Sequence, residues 1–336
     1  MTAKRKILIS VVALLVVMTT ALTIIIMPEV QMKNNLQGFT LYPAEKADSA
    51  DKIYFLNTGS SDAILIESDG KYALVDAAED SDNPRGFPDL EFDGMEEYVV
   101  NAVKKIAGDE NEKVTLEFVL GTHSHSDHIG GFDTLILDED ITVKTAYLKE
   151  YDESKISDFE VEEWDNKEVY QQMLDACNKR GVPAVHNISE EPFAFGNFTL
   201  KFCNTQDKKP ENKVGENENA VGLLIEKGES RAFLAADINN YDGDEDRLAL
   251  EIGKVNLLKV GHHGYDGSTT KGFVKALTPE VAVVTNREGG ISRKPLSNLN
   301  SVGAKVLETG AFGGIIAEFT DDGIKYYRNL DSILEK

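Results

Sequence analysis

The hydrophobic pattern of the chain predicts a succession of short strands. Apolar runs at 53–56 and 63–66 flank the turn-forming residues 59–62, and the dipeptide Asp69-Gly70 leads into a third run at 72–75. Further runs of the same kind lie at 114–120, 198–202, 221–225, 232–236, 257–260, 281–285, 314–319 and 324–327. Several of these runs end in polar residues, and the ends of strands are where sites assemble on sheet scaffolds.

Helical spacing of apolar residues appears in fewer places. The segment 94–107 carries apolar residues at helical intervals, and a helix over 167–180 is ended by Gly181 and Pro183. The chain has no internal repeat and no low-complexity tract. This mixture predicts an α/β protein with two sheets and helices outside them, forming one domain over residues 52–330.

The N-terminus predicts a membrane segment. Lys4, Arg5 and Lys6 precede an apolar run over 7–27, which is long enough to span a bilayer and longer than the core of most signal peptides. We interpret residues 1–30 as an uncleaved signal anchor, 31–51 as a polar spacer containing Pro43, and the remainder as an extracellular domain on a single-pass membrane protein. The alternative is a long signal peptide whose removal would leave a secreted protein.

The net charge and the number of cysteines disfavour some classes of binding surface and of metal site. The 336 residues include 35 basic and 58 acidic side chains, a formal charge of −23, which disfavours a polyanion-binding surface. Two cysteines, Cys177 and Cys203, are too few for a disulfide framework or a cysteine-based zinc module. The acidic run 242–246 is expected to be a solvated loop.

The histidines are clustered. Of six in the chain, His123, His125 and His128 fall within six residues, His262 and His263 are adjacent, and His186 stands alone as an ordinary histidine. The run from His123 to Gly131 follows a strand, so we expect a loop that aims imidazole and carboxylate groups, including Asp127, at one region. Those groups suit zinc and similar divalent ions, and Gly130-Gly131 would let the chain pass close to the metal.

These motifs resemble a known family. The pattern H-x-H-x-D-H after a strand resembles the signature of the metallo-β-lactamase fold, a four-layer αββα sandwich that binds one or two metal ions. Residues 52–79, 216–238, 257–269 and 307–324 resemble, in the correct order, four conserved segments of the ComEC-type competence-protein branch. The resemblance covers roughly residues 52–328.

The resemblance implies roles for individual residues. His123 and His125 would bind a first metal ion, Asp127, His128 and His263 a second, and Asp237 would bridge the two. The other member of the pair, His262, would face the substrate as a hydrogen-bond donor or general acid, and Asp76 would orient metal ligands from behind. The implied cofactor is Zn²⁺, with two ions expected and Mn²⁺ as an alternative. Asp127, Asp237 and His262 are therefore the candidate catalytic residues.

The sequence departs from the family pattern at two places. The fold commonly supplies one more histidine to the first metal, where this chain reads Phe202-Cys203-Asn204-Thr205. Cys203 or Asn204 could serve there, or the first ion could be weakly bound, while Cys203 is more readily interpreted as a buried core residue. Ser60-Ser61-Asp62 also stands where the branch often has Q-G-D.

Metal-activated water is the implied nucleophile, because the chain has no G-x-S-x-G motif for a serine nucleophile. β-Lactamases of this fold usually carry a cysteine where Asp237 stands, so antibiotic hydrolysis is disfavoured. We predict an exported phosphodiesterase acting on a small or cell-envelope phosphodiester. The alternatives are a ComEC-type nuclease for extracellular DNA, which the acidic charge disfavours, and a degenerate domain without catalysis.

Overall fold

The computed structural model describes residues 36–81, 94–206 and 213–335. The chain divides into two units, Met1–Phe39 and Thr40–Lys336, and the strands and helices of the described chain lie in the second. The predicted membrane segment at 7–27 lies outside the described residues. Among the residues that are described, no helix is both long and apolar enough to cross a membrane.

The first sheet contains ten strands of the described chain, in the order β1-β17-β16-β2-β3-β4-β5-β7-β8, with β6 paired to β5. β2–β3–β4 form an antiparallel meander, and β4, β5 and β7 run parallel. The bounds are β1 Tyr42–Pro43, β2 Asp51–Phe55, β3 Ile64–Ser68, β4 Lys71–Val75, β5 Val114–Gly121, β6 Ile141–Val143, β7 Ala146–Leu148, β8 Ala184–Val185, β16 Ile315–Thr320 and β17 Gly323–Arg328.

The second sheet contains seven strands of the described chain, in the order β15-β14-β13-β12-β11-β10-β9. Its half from β12 to β15 is parallel and its half from β9 to β12 is antiparallel. The bounds are β9 Phe193–Phe195, β10 Phe198–Cys203, β11 Gly222–Lys227, β12 Ser230–Leu234, β13 Leu257–Lys259, β14 Val281–Val284 and β15 Lys305–Glu308.

The helices lie outside the two sheets. Their bounds are α1 Glu96–Ala107, α2 Ser126–Ile129, α3 Phe132–Leu137, α4 Asp158–Glu163, α5 Asn166–Arg180, α6 Glu216–Asn219, α7 Asp244–Ile252, α8 Lys271–Leu277, α9 Arg293–Ser301, α10 Thr309–Phe312 and α11 Asp331–Leu334. Short 3₁₀ turns span Ala44–Lys46, Glu153–Lys155 and Gly261–Gly264. The apolar faces of α1, α3 and α5 share one buried cluster with the outward residues of β2 to β5, such as Tyr54 and Leu74.

Aromatic contacts join the inner faces of the sheets. The ring of Phe198 on β10 lies 5.0 Å from that of Phe319 on β16, and the ring of Phe118 on β5 lies 5.9 Å from that of Phe202 on β10. On the far side of the second sheet, Phe233 of β12 packs against Phe273 of α8 at 6.3 Å. The layers are therefore helix, sheet, sheet and helix, which is the predicted four-layer α/β sandwich.

The parallel strands bring the polar residues to one edge. Asp76 follows β4, the histidine run follows β5, Asp237 follows β12, and the His262-His263 pair follows β13. Because β4 and β5 are parallel neighbours, as are β12 and β13, their carboxyl ends open on the same side of each sheet. This edge holds the site described below.

Some expectations from the sequence were wrong in detail. The stretch 31–51, predicted as a spacer, contributes β1, where Tyr42 pairs with Tyr327, and the first residue of β2. The run after β5 is a loop only as far as His125, and Ser126–Ile129 form one helical turn. In the acidic run 242–246, which was predicted as a solvated loop, residues 244–246 form the first turn of α7. Glu245 is buried, and the backbone amides of Thr269 and Thr270 donate hydrogen bonds to its carboxylate.

Candidate metal centre

Asp76 holds the loop after β5 in place through contacts with Thr122 and His128. Its carboxylate accepts hydrogen bonds from the backbone amide and the hydroxyl of Thr122, each at 2.8 Å, and lies 2.7 Å from Nδ1 of His128. Asp76 adopts a positive φ of 56°, a backbone conformation that non-glycine residues rarely hold without compensation. The predicted orienting role of Asp76 agrees with this position.

Gly130 and Gly131 lie where the chain packs closely against the backbone that follows β4. A Cβ on Gly131 would lie 2.2 Å from the carbonyl oxygen of Ala77, and one on Gly130 would lie 2.4 Å from the amide nitrogen of Asp80. Their packing on the segment that follows β4 was not predicted from the sequence. They let the start of the helical layer pack on the segment that follows β4.

Four side-chain atoms from three separate segments converge beside α2. Nε2 of His128 lies 3.1 Å from Nε2 of His263 and 3.2 Å from Oδ1 of Asp237. Nε2 of His263 lies 3.4 Å from that same Asp237 oxygen and 3.2 Å from Oδ2 of Asp127. Asp127, His128, His263 and Asp237 are the residues predicted for the second metal or for the bridge to it. Of these, His128, His263 and Asp237 form a buried cluster in which Asp62 can also present a ligand atom, whereas Asp127 approaches the cluster through His263 and lies 3.9 Å from Nε2 of His128.

The separations of 3.1 to 3.4 Å among His128, His263 and Asp237 fit neighbouring ligands of a tetrahedral divalent ion. Bonds of about 2.0–2.1 Å in tetrahedral geometry place neighbouring ligand atoms about 3.3 Å apart. Oδ1 of Asp237 is also buried and makes no hydrogen bond with any described residue, and such an atom is costly unless something pairs with it. A cation among these four atoms would satisfy it, so the residues present fit a metal ion.

A second donor set shares the same aspartate. Nε2 of His123 lies 3.1 Å from Nδ1 of His125, and both residues can present ligand atoms together with Asp237. Thr122 holds the ring of His123 from behind, with its hydroxyl 3.0 Å from Nδ1. The structure thus brings together the residues predicted for the first metal, with Asp237 common to both sets.

Neither candidate for the missing first-metal ligand faces this set. The Asn204 amide donates to the carbonyl oxygens of Glu218 and Ala220, at 3.2 and 2.9 Å, and accepts from Arg247. Cys203 is buried, and its thiol points to the carbonyl oxygen of Lys201, at 3.7 Å. His186 bonds to the carbonyl oxygen of Leu148, outside the centre. The first set therefore has three donors among the described residues.

His262 lines the cleft beside Asp237 and belongs to neither donor set. Its Nε2 lies 3.9 Å from Oδ2 of Asp237 and 3.3 Å from the side-chain amide of Asn217, and its side chain is 28% exposed. Both His262 and His263 have a φ of 48°, in the left-handed region. Holding two adjacent non-glycine residues there costs on the order of 1–2 kcal/mol each, and the two rings lie 6.3 Å apart.

Two buried residues behind the centre were missed by the sequence reasoning. Asp62 lies 3.4 Å from Nδ1 of His263 and 3.7 Å from Nδ1 of His128, and it pairs with Lys259, which is fully buried at the end of β13. The Lys259 ammonium also donates to the carbonyl oxygen of Ala236 and lies 3.7 Å from Asp237. A lysine inside the L-K-V run before the histidine pair was the available signal.

The charges of the centre are mutually dependent. Burial disfavours a protonated ring, but the carboxylates of Asp237, Asp127 and Asp76 outweigh it and raise the pKa of His128 well above its usual value. Burial is likewise outweighed at His263, where Asp237 and Asp62 raise the pKa. Against its own burial, the pKa of Asp237 is held well below its usual value by His263 and His128. In the metal-free chain, the positive charges of the protonated His128 and His263 rings thus offset the negative charges of the neighbouring carboxylates.

A cleft with a volume of 180 Å³ opens on the two donor sets. Trp164 and Tyr265 form apolar walls, and the ring of Trp164 lies 4.8 Å from that of His125. Glu79, Glu163 and Asp165 add carboxyl groups, and no lysine or arginine of the described chain lines this cleft. Burial and the nearby Asp127 raise the pKa of Glu79 to about 8.

Comparison with known proteins agrees with this fold. The model of the beta-lactamase superfamily domain matches residues 97–268. The chain is 23% identical over 207 residues to ComE operon protein 3 of Bacillus subtilis, covering 60% of this chain and 24% of that protein. It is 23% identical over 163 residues to Recombination protein 2 of Haemophilus influenzae, covering 44% and 20%. The chain thus spans about a quarter or less of these curated relatives.

Solved structures with similarity include the metallo-beta-lactamase fold protein YhfI from Bacillus subtilis, at 12% identity and a TM-score of 0.44 over 77% of this chain and 96% of that one. Zn²⁺-bound PqqB from Methylobacterium extorquens has 15% identity and a TM-score of 0.42 over 74% and 85%.

The family match covers more than half of the sequence, and the two relatives support the resemblance to the ComEC-type branch. The chain belongs to the beta-lactamase superfamily.

Proposed function

We propose that this protein is a metal-dependent phosphodiesterase that hydrolyses a small or zwitterionic phosphodiester. The observation that carries the proposal is the position of Asp237, which clusters with His128 and His263 on one side and with His123 and His125 on the other, and which lines one cleft. When bound, two divalent ions lower the pKa of a water and neutralise charge on the substrate oxygen. His123 and His125 would hold one ion, Asp127, His128 and His263 the other, and Asp237 both; Zn²⁺ fits these nitrogen and oxygen donors, and Mn²⁺ is the alternative.

His262 is the residue that would contact the reacting phosphoryl group. Its ring is turned away from the second donor set and lies beside Asn217 at the edge of the cleft. Burial lowers the pKa of His262, so the ring is neutral at pH 7. A neutral imidazole serves better as a hydrogen-bond donor to a substrate oxygen than as a general acid, which favours the first of the two roles predicted for it.

The lining of the cleft supports a substrate without extended negative charge. Polyanions are bound through lysine and arginine, and the described part of the cleft offers carboxylates and aromatic rings. This favours a cell-envelope or other phosphodiester with a neutral or cationic group over DNA. The resemblance to ComEC-type domains supports a nuclease as the second candidate.

An assay on the purified full chain tests both functions. Loaded with Zn²⁺ or Mn²⁺, the chain is expected to hydrolyse bis-p-nitrophenyl phosphate and p-nitrophenylphosphorylcholine, and to lose that activity in His125→Ala and Asp237→Ala. Cleavage of single-stranded DNA with neither small substrate turned over would favour the nuclease. Two bound ions without hydrolysis of any phosphodiester would overturn the phosphodiesterase, and a wild-type chain that binds no metal would support the degenerate domain.

We also propose that residues 1–30 anchor the chain in the cell membrane with the domain outside. The support is the basic cluster at 4–6 and the apolar run at 7–27. Expressed in bacteria, the full chain is expected to stay in the membrane fraction after alkaline carbonate extraction and to be digested by protease added to intact spheroplasts. Release into the medium with a shortened N-terminus would support the cleaved signal peptide.

A further inference from the structure

His125 belongs to the weaker of the two donor sets. That set has three donors among the described residues, and its two histidines approach each other through Nε2 of His123 and Nδ1 of His125. With no third histidine present, the orientation of each ring matters more to binding, because a displaced ring leaves too few ligands to retain an ion.

The opposite nitrogen of His125 contacts a buried carboxylate. Nε2 of His125 lies 3.3 Å from Oε2 of Glu160, which belongs to α4 and is 35 residues further along the chain. Glu160 is 8% exposed although it is charged, and it is the only residue of α4 that is buried. No motif of the sequence analysis included it.

Glu160 is itself held in place from two sides. The backbone amide of Glu216 donates to Oε2 at 3.0 Å, and the side-chain amide of Asn166 donates to the same oxygen at 3.3 Å. Glu216 in turn accepts a hydrogen bond from the backbone amide of Ser124, inside the histidine loop. The carboxylate is therefore fixed before any ion binds.

The arrangement matches the support of the other histidines of the centre. Nδ1 of His128 lies against Asp76, and Nδ1 of His263 lies 3.1 Å from the carbonyl oxygen of Thr285. A carboxylate that accepts the outer N–H of a ligating histidine fixes its tautomer and direction, and losing such a partner costs 10- to 100-fold in metal affinity.

We propose that Glu160 is the positioning residue for His125, and that its carboxylate sets the affinity of the first metal position without entering the second. This inference rests on the proposed metal centre but not on the identity of the substrate. It assigns a role to the segment between β7 and β8, which the family motifs do not cover.

Metal titration of the full chain tests the proposal. The metal-free chain is titrated with Zn²⁺ by calorimetry, the stoichiometry is checked by elemental analysis, and the first position is identified as the one lost in His123→Ala. In Glu160→Gln we expect the Kd of the first position to rise about 10-fold or more, with the Kd of the second position within about threefold of wild type. The visible absorption of Co²⁺ at the first position should change in parallel.

Two control variants separate positioning from a general loosening of α4. Glu162→Gln removes an exposed carboxylate on the same helix, and Ser157→Ala removes the hydroxyl that accepts from the amide of Glu160 at 3.3 Å while keeping the carboxylate. Both are expected to keep the first-position Kd within about threefold.

An unchanged first-position Kd in Glu160→Gln, or an equal loss in Ser157→Ala, would overturn the proposal. So would a wild-type chain that binds a single ion held by His263 and not by His123. Two ions bound normally in a chain that hydrolyses no phosphodiester would overturn the proposed function alone and leave the role of Glu160 standing.

Discussion

Nε2 of His128 lies 3.1 Å from Nε2 of His263, although 135 residues separate them along the chain. His128 follows a strand of the first sheet and His263 follows a strand of the second, so this contact joins the loops of the two sheets at one edge of the sandwich. Two imidazole nitrogens at this distance, beside the carboxylates of Asp127 and Asp237, form a site in which a divalent ion can replace the protons.

The two adjacent histidines should therefore have separable effects. We expect His263→Ala to lose the second metal ion and nearly all phosphodiesterase activity, because His263 supplies Nε2 to the donor set. His262→Ala should keep both ions and lower kcat about 100-fold, because His262 faces the cleft. Elemental analysis together with steady-state kinetics checks this, and loss of metal from His262→Ala would reverse the assignment.

Asp237 should couple the two metal positions. It is the residue common to both donor sets, so Asp237→Asn is expected to weaken both ions and to abolish hydrolysis. Glu226→Gln, whose carboxylate pairs with Arg231 away from the centre, is the matched control and should change neither. Calorimetric titration measures both sites, and a variant that retained one ion at wild-type affinity would show that Asp237 belongs to a single site.

Proton release should accompany metal binding. The pKa values of His128 and His263 are raised by their carboxylate neighbours, so both rings are protonated in the metal-free chain at neutral pH and must lose that proton to bind an ion. Zn²⁺ affinity at the second position is therefore expected to rise as the pH rises from 6 to 8. Titrations in buffers of different ionisation enthalpy count the protons released, and a pH-independent affinity would contradict the raised pKa values.

Glu79 should make the metal-free chain less stable as pH rises. Its pKa is about 8 in the folded chain against an ordinary value of 4.5, so above pH 4.5 the unfolded chain loses a proton that the folded chain keeps. Stability is then lost between about pH 4.5 and 8, by up to about 5 kcal/mol. Glu79→Gln should flatten this part of the Tm–pH profile, the exposed control Glu97→Gln should not, and equal slopes in all three chains would show that Glu79 does not titrate there.

Lys259 should be a large contributor to stability through its pairing with Asp62. Lys259→Met leaves the Asp62 carboxylate buried without its cation, which is expected to cost about 3 kcal/mol or more. The double variant Lys259→Met/Asp62→Leu removes both buried charges and should recover part of that loss in the metal-free chain. The exposed control Lys254→Met should leave the free energy of unfolding close to that of the wild type. Urea unfolding measures each value, and a loss below about 1 kcal/mol in Lys259→Met would contradict the importance of the pair.

Much of this protein could be predicted from the sequence because the signals are local. The Asp69-Gly70 turn lies between β3 and β4 as expected, and Gly181 ends α5 with a φ of 70°, the left-handed conformation that glycine favours after a helix. The histidine run and the pair His262-His263 were identified from spacing and order along the chain. The predicted roles of His123 and His125 are compatible with where their side chains lie.

Tertiary structure alone decided what surrounds those residues. Asp62, Lys259 and Glu160 come from three distant segments, and apart from the position of Lys259 inside an apolar run their local sequence does not show that they are buried beside the histidines. His262 and His263 share a left-handed backbone and both line the cleft, but only His263 joins a donor set, which their adjacent positions in the sequence could not show. The candidate ligands could be proposed from residue type and order along the chain, whereas ring orientation, burial and charge balance depend on contacts between elements far apart in sequence.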